Sequence, residues 1–325
     1  MCRTMGSYLA RRAAFLLVSF VLAMLLIFVL LRLLPGDPAN ALLSVDATPE
    51  QIEAAQQQVG SNLPVHEQLV RWVGDVMRLD LGTSFLSGAP VLPDIVSRLE
   101  VTLPLTLISF VISVLLASGI GYVAAARSHT RLGVAVTAVA QLGIAVPVFW
   151  IGILLVWLFA LELRLFPSGG FPREGWADPL AALRSLFLPA TTIVIVMTAS
   201  LVRYVRSATL DVLESDYLRN AQALGSGFGE AFLRHGVRNA SVPVISILGI
   251  ELASTLLGAV VVESVFTLPG LGSMLTKAIA QHDYPSIQGI LLVTTFFVLI
   301  VGFAADVVQR LVDPRLRSSL SGAHA

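Results

Sequence analysis

The chain has 325 residues, of which 56% are hydrophobic and 13% are charged, and its formal net charge is zero. Soluble proteins carry about a quarter charged residues, so this composition excludes a soluble globular protein and predicts a large lipid-facing surface. The balanced charge disfavours a nucleic-acid binder. The lone cysteine, Cys2, excludes an internal disulfide, and the five scattered histidines predict no metal site.

Six apolar stretches follow one another along the chain, and each is long enough for a membrane helix, which needs about 20 residues. We therefore predict an all-α membrane protein with six transmembrane helices in a single domain, 1–325. The first stretch also has features of a secretory signal peptide, but it is longer than the apolar core of about 7–15 residues in such signals. The predicted spans are 9–34, 101–126, 132–161, 185–205, 240–262 and 284–308.

The distribution of basic residues predicts that both termini are cytoplasmic. Thirteen of the 21 Lys and Arg residues lie in the termini and in the segments that share their side of the membrane. The other eight lie in the longer segments on the opposite side. Cytoplasmic segments carry the excess of Lys and Arg in membrane proteins. The side with more Lys and Arg in shorter segments is therefore predicted to be the cytoplasmic side.

The segment 35–100 follows the first span and is predicted to lie outside the cell. Thr48 is a suitable N-cap for a helix that begins at Pro49. The spacing of apolar residues predicts a second helix from Val65 to Leu79. This external segment is either a lid without a ligand of its own or a ligand-binding cap, and the sequence favours neither.

Three residues inside the predicted spans are unusual for a membrane helix. Pro147 and Pro189 each remove a backbone hydrogen bond and predict kinks, which are either packing features or the border of a pathway. Glu251 is the one acidic residue deep inside a span. A carboxylate there usually faces water or the interior of a helix bundle, so we predict that Glu251 and Pro147 line a pathway. The alternative is a structural Glu that is neutral or hydrogen-bonded.

The longest cytoplasmic segment, 206–239, has a sequence typical of two short helices joined by glycines. Its first part, Asp216–Leu224, has helical propensity, and Gly225–Gly229 is predicted to break that helix. A second helix then leads to the fifth span. We expect both helices to lie parallel to the membrane, where the small residues Ala221 and Ala223 let another protein approach the backbone.

This segment resembles the coupling loop of importer permeases in the ATP-binding-cassette superfamily, whose signature is Glu-Ala-Ala-x3-Gly. Ala221 and Gly225 match the second Ala and the Gly, whereas Arg219 and Asn220 replace the first two residues. That replacement is similar to the dipeptide, oligopeptide and nickel branch, although Leu224 stands where the branch usually has Lys. The resemblance implies that these residues couple the chain to an ATPase: Asp216, Tyr217, Arg219, Ala221, Ala223, Gly225, Arg234 and His235.

Shorter motifs extend the resemblance over essentially the whole chain. In order they are Leu34–Pro38, Leu79–Phe85, Glu263–Gly272, Asp283–Pro285 and Asp313–Arg315. The long segment after the first span is similar to the B-type member of a permease pair, and Glu251 stands where the branch often has Gln. The resemblance also implies that five residues face a binding protein outside the membrane: Asp80, Gly82, Pro269, Gly270 and Asp283.

The family resemblance implies a permease subunit in a bacterial cell membrane that forms a path for di- or oligopeptides with a second, homologous permease. An extracytoplasmic lipoprotein would deliver the cargo, and two cytoplasmic ATPase subunits would drive its import. The chain itself is expected to be no enzyme and to hold no cofactor, because it lacks the Gly-x4-Gly-Lys-[Ser/Thr] loop that cradles ATP phosphates. ATP and magnesium would bind the partner ATPases.

Three other functions remain open. The cargo could be nickel or another small solute, because the same branch includes such permeases. A proton-coupled secondary transporter could use Glu251, but such proteins usually contain several intramembrane ionisable groups and internal repeats. This sequence has one such acid and no evident repeat. A membrane scaffold without transport would leave the glycine-bearing loop without a role.

Overall fold

The computed structural model describes residues 2–33, 39, 47–225 and 227–312, so the motifs predicted at 34–38 and 313–315 lie outside the described residues. Within the described residues the structure is helical, apart from turns and an isolated bridge between Thr83 and Pro90. The α-helices are α1 (Cys2–Leu33), α2 (Pro49–Val59), α3 (Val65–Met77), α4 (Val91–Ala126), α5 (Arg131–Ala145), α6 (Val148–Leu155), α7 (Pro179–Leu213), α8 (Asp216–Ala223), α9 (Phe228–Ala231), α10 (Val237–Val265), α11 (Leu271–Ala280) and α12 (Tyr284–Val312).

Five of these helices, α1, α4, α7, α10 and α12, have the length and hydropathy of membrane spans. Five of the six predicted spans fall almost entirely within these helices, and α4 begins earlier than the predicted span, at Val91. In the most apolar part of α7, 67% of the residues are buried, against 17% in α1 and 11% in α12. Helix α7 is therefore a central helix of its unit, whereas α1 presents most of its apolar side chains outward and those of α12 are mostly half-buried.

The third predicted span, 132–161, is not one straight helix. Helices α5 and α6 are bent by 99° at the break between them. Val146 has an extended backbone, with φ −85° and ψ 127°, because a following proline disfavours the helical conformation. Pro147 then forms the N-cap of α6, which continues as a π-helix over Val156–Glu162. The break is much sharper than the kink that the sequence predicts.

Proline has a different effect in the longer helices. Pro104, Pro189 and Pro243 lie inside α4, α7 and α10, and each helix continues on both sides of its proline. A proline removes one amide donor and strains the turn before it, and in these helices the flanking turns remain helical. Pro189 therefore does not end its helix, in contrast to Pro147.

The chain forms two compact units, each made of two stretches of sequence. The first unit consists of Met1–Thr102 and Pro269–Leu299, and the second of Leu103–Leu268 and Ile300–Ala325. Helices α4 and α12 each contribute residues to both units.

The first unit contains the predicted helices of the external segment. Thr48 Oγ1 accepts a hydrogen bond from Gln51 N (3.4 Å), and Gln51 Oε1 accepts one from Thr48 N (2.9 Å), so the two residues form a capping box at the start of α2. Gly60 ends α2 in the left-handed region, with φ 75°. Both predicted helices, at Pro49 and Val65, are confirmed. The buried core of this unit consists of Val91, Ile95, Leu271, Met274 and Ile290.

The second unit is built around α7. A buried cluster joins α4 to α7, and residues of α5 and α10 pack against it; its buried members are Ala117, Met197, Leu201 and Val202. Gly143 brings α5 close to α7, since an added Cβ would lie 2.8 Å from Ala199 Cβ. Gly152 of α6 has a similar role, because its Cβ would lie 3.2 Å from the ring of Phe266. Small residues at helix contacts are typical of membrane bundles.

Candidate functional site

The predicted coupling residues lie on one segment between α7 and α10, which we call the coupling segment (216–236). Helix α7 continues to Leu213, so the connection is shorter than the predicted loop 206–239. Gly225 follows α8 with φ 93°, the left-handed conformation that favours glycine. Gly227 and Gly229 have no positive φ, and α9 passes through a π-helix, Phe232–Gly236, directly into α10. The second predicted helix is therefore the beginning of α10 and not a separate element.

Buried aromatic and aliphatic side chains fix the coupling segment to the second unit. Leu218 is 1% exposed and Phe232 is 7% exposed. The ring of Phe232 lies 5.0 Å from the ring of Tyr122 in α4. A Cβ on Gly236 would lie 2.6 Å from the Phe232 ring and 3.1 Å from Val212 of α7. The coupling segment is therefore anchored on α4 and α7.

The outer face of the coupling segment is exposed on both sides of the Gly225 turn. Leu224 is 89% exposed, Leu233 is 73% exposed and Tyr217 is 38% exposed. Large apolar side chains in such positions suit a surface that another protein covers. The segment therefore has a buried anchor and a free face.

The charged coupling residues are also on the exposed face. Arg219 and Asp216 form an ion pair of 3.6 Å whose side chains are 67% and 93% exposed, so it adds little stability. Arg234 and Ala223 are exposed and Ala221 is half-buried. The side chain of His235 lies outside the described part of the structure. The guanidinium groups remain accessible to a partner.

Glu251 lies in the wall of a cavity in the second unit. Ser200 Oγ of α7 donates a hydrogen bond of 2.7 Å to Glu251 Oε1. The cavity has a volume of about 290 Å³, and its polar lining includes Ser254 and Thr255 beside Glu251 and Ser200. Thr255 uses its hydroxyl to donate to the Glu251 carbonyl, at 2.7 Å. The carboxylate therefore faces an open, partly polar space, as expected for an ionisable group within a span.

The proline break borders the same cavity, although Pro147 itself is not in its lining. Ile144 and Val148, on either side of the break, contribute to the wall. The structure thus brings Glu251 near the end of α5 and the start of α6. The roles of Glu251 and Pro147 in a pathway stay predictions.

The residues predicted to face a binding protein all belong to the first unit, but their surroundings differ. Asp80 and Gly82 are exposed and line a cavity, and Asp80 Oδ1 accepts a hydrogen bond from Gly82 N (2.9 Å). Pro269 is half-buried and Gly270 is buried, where it forms the N-cap of α11. Of these residues, Asp80 and Gly82 are therefore the best placed for direct contact with a partner.

Asp283 is used inside the chain. It is 2% exposed, and its carboxylate accepts hydrogen bonds from Ser84 Oγ (2.6 Å), Phe85 N (3.0 Å) and Ser286 Oγ (2.7 Å). Such charge-assisted bonds are the stronger ones in proteins. Asp283 therefore holds the loop before α4 against the start of α12, which is a supporting role for the surface that Asp80 and Gly82 form.

Sequence reasoning missed two residues that complete these sites, Ser200 and Tyr122. Ser200 is an ordinary small residue in an apolar run, and only folding brings it to Glu251, 51 positions later. Tyr122 and Phe232 are likewise separated along the chain and meet through their rings. A tyrosine in the last turns of a predicted span was the only available signal.

Five helices with the length and hydropathy of membrane spans, a sixth apolar run bent at a proline, and an anchored segment with an exposed face between α7 and α10 fit the membrane-spanning subunit of a transporter. The chain belongs to the family of binding-protein-dependent transport system inner membrane components, whose profile matches residues 117–318. The N-terminal profile of the same kind of membrane component matches residues 5–106. The chain is therefore a multi-pass inner-membrane permease subunit of an ATP-binding-cassette importer, a class that works with ATPase and other subunits.

Curated relatives match the chain over nearly its full length. The oligopeptide transport system permease protein AppB of Bacillus subtilis is 33% identical over 314 residues, covering 96% of this chain and 99% of AppB. The glutathione transport system permease protein GsiC of Salmonella typhimurium is 34% identical over 316 residues, with the same coverage. A permease protein assigned to a peptide transport system in Brucella abortus (strain 2308) is 36% identical over 313 residues, covering 96% and 99%.

Solved structures show the same fold at low sequence identity. A chain of the inward-facing MetNI methionine ABC transporter matches with a TM-score of 0.56 and 15% identity, covering 67% of this chain and 96% of its own length. A second crystal form of that transporter gives a TM-score of 0.57 at 14% identity. These similarities support the fold and give no information about the cargo of this chain.

Proposed function

We propose that the chain forms, with a second homologous permease, the membrane path for short peptides that an extracytoplasmic binding protein delivers. The observation that carries the cargo class is the 33–36% identity, over 96% of the chain, to permeases named for oligopeptide, peptide and glutathione transport. Both termini and the coupling segment lie in the cytoplasm in this proposal, and the surface of Asp80 and Gly82 faces outward.

The coupling segment docks into a groove of a cytoplasmic ATPase, which binds ATP and magnesium. Its exposed Leu224 and Leu233 supply apolar contact, and its arginines can grip carboxylates or helix carboxyl ends. Closure of the ATPases would displace Phe232, and through it Tyr122 of α4, so that the helices change between outward and inward openings as rigid bodies.

Glu251 acts within the path as an acceptor for the ammonium group of the cargo. The supporting geometry is the half-buried carboxylate, held by Ser200 at the wall of the second-unit cavity. A carboxylate that is hydrogen-bonded on one oxygen keeps its other oxygen for a cation.

Purification of the tagged chain in mild detergent, with mass spectrometry of the proteins that accompany it, tests the assembly. We expect a second permease and one or two ATPases, and, after reconstitution with the binding protein, peptide-stimulated ATP hydrolysis and peptide uptake. Recovery of the chain alone, still moving solute under a proton gradient without ATP, would overturn the proposal.

A further inference from the structure

The second-unit cavity, which has Glu251 in its wall, is elongated along two antiparallel helices. Ser200 of α7 donates a hydrogen bond to Glu251 of α10, and one turn further along both helices Thr255 Oγ1 lies 3.5 Å from Met197 Sδ. Residue numbers fall along α7 as they rise along α10, so the two helices run in opposite directions. Beyond these pairs the lining continues with two apolar side chains and a glycine: Ile193, Val262 and Gly258.

The chemistry of the lining changes from one end of this cavity to the other. Glu251 and Ser200 form the polar end, and the hydroxyl groups of Ser254 and Thr255 follow one turn later on α10. The lining beyond them has no polar side chain. Gly258 lies seven residues after Glu251, which is about 10 Å along a helix. A ligand whose cation contacts Glu251 would therefore extend its apolar part toward Gly258.

Gly258 leaves the apolar end of the cavity open. It is exposed in the wall, and a Cβ added there would meet nothing within 4 Å. Helical side chains lean toward the N-terminus of their helix, so a larger residue at 258 would extend over Ser254 and shorten the cavity. Glycine is a poor residue for the middle of a helix, and neither a positive φ nor a close neighbour in the described part of the chain requires it here.

A ligand that suits both ends carries an ammonium group and an apolar group a few ångströms apart. The amino-terminal residue of a peptide has this chemistry, because its ammonium and its side chain are bonded to the same Cα. A small first side chain would end beside Ser254 and Thr255, whereas a long one would extend toward Gly258. The cavity volume of about 290 Å³ is near the lower limit for small-molecule sites, about 300 Å³, which suits one end of a peptide.

We propose that the second-unit cavity binds the amino-terminal residue of the cargo peptide and that Gly258 determines how large the side chain of that residue can be. The inference rests on the proposed function, and within it on the contact between Glu251 and the ammonium group. It adds a selectivity that the permease applies after the binding protein has released the cargo.

Uptake of three dipeptides by the complete reconstituted system tests the role of Gly258. The peptides are Ala-Ala, Phe-Ala and Ala-Phe, each at a concentration that saturates the same binding protein, so every variant is compared with wild type under equal loading. We expect Gly258→Leu to lower the uptake of Phe-Ala relative to Ala-Ala about tenfold, because overpacking a filled site is unfavourable. The uptake of Ala-Phe relative to Ala-Ala should change less, since its large side chain is on the second residue. Gly258→Ala should give an intermediate result.

Gly302→Leu is the matched control for this substitution. Gly302 is also an exposed helical glycine, and a Cβ added to it would meet nothing within 4 Å. It lies on α12 and does not line the cavity. This variant should therefore keep the wild-type ratios of uptake among the three peptides.

An equal loss of all three peptides in Gly258→Leu would overturn the inference and indicate that a helix of the second permease packs closely against Gly258. Equal losses of Phe-Ala and Ala-Phe would overturn the assignment to the first residue. Uptake by the wild-type system with unchanged ratios in Gly258→Leu rejects the selectivity alone, whereas absent uptake by the wild-type system rejects the proposed function.

Discussion

Gly225 gives the sharpest test of the coupling segment, because its backbone conformation disfavours a side chain while its surroundings in this chain have space for one. Its φ of 93° disfavours every L-residue, while an added Cβ would meet nothing within 4 Å in this chain. Ala in the left-handed region costs about 1–2 kcal/mol. That free energy shifts the equilibrium away from the bent conformation by a factor of roughly 5–30. Asn tolerates left-handed backbone better than Ala does.

We therefore expect peptide-stimulated ATP hydrolysis by the reconstituted complex to fall in the order Gly225, Gly225→Asn, Gly225→Ala. Gly229→Ala is the control, since Gly229 has no positive φ and an added Cβ there also meets nothing within 4 Å; it should retain full stimulation. If close approach of the ATPase were the requirement, the larger Asn would be worse than Ala. Full stimulation in Gly225→Ala would refute the role of the turn.

Three further changes address the other contacts. Phe232→Ala should destabilise the chain by about 3 kcal/mol or more and lower stimulated relative to basal ATP hydrolysis, whereas Leu233→Ala, at a 73% exposed position, should leave the melting temperature unchanged. Asp283→Ala removes the acceptor of three hydrogen bonds and should cost about 3 kcal/mol, seen as faster proteolysis of the loop 79–90; an unchanged cleavage rate would contradict its internal role. Glu251→Gln keeps an acceptor for Ser200 but loses the charge, so uptake of peptides with a free amino terminus should fall about tenfold, while uptake of N-acetylated peptides should not; equal losses for both would exclude an ammonium contact.

The long helices and the caps of the external segment could be predicted because their signals are local. Apolar runs of sufficient length identify spans without knowledge of their partners, and Thr48 and Gln51 lie within one turn of each other. The break at Pro147 was harder to predict, because Pro189 also lies in an apolar run and its helix continues. A helix continues past a proline where neighbouring helices compensate for the backbone hydrogen bond that the proline removes, and this depends on tertiary packing.

The glycines of the coupling segment show the same limit. Glycine permits a break in a helix but does not impose one, so the sequence Gly225–Gly229 contains a turn at its first glycine and a helical glycine at its last. Asp283 is a different case. Its motif could be recognised in the sequence, but its partners Ser84 and Phe85 are 199 and 198 positions away. Its carboxylate was expected to face a binding protein and is instead buried.

The bend at Pro147 also bears on the number of membrane crossings, because α5 and α6 on either side of it can cross the membrane together or return to the same side. Helix α5 contains 15 residues, which at 1.5 Å per residue gives about 22 Å, short of a hydrocarbon layer of about 30 Å. Counted as a hairpin that returns to its own side, α5 and α6 leave an odd number of crossings, and the coupling segment then emerges opposite the N-terminus. If the coupling segment docks to an intracellular ATPase, α5 and α6 must together cross the membrane once. A reporter fused in the connection at 163–178 would lie outside the cell in that case, and the orientation of every later span depends on how α5 and α6 cross.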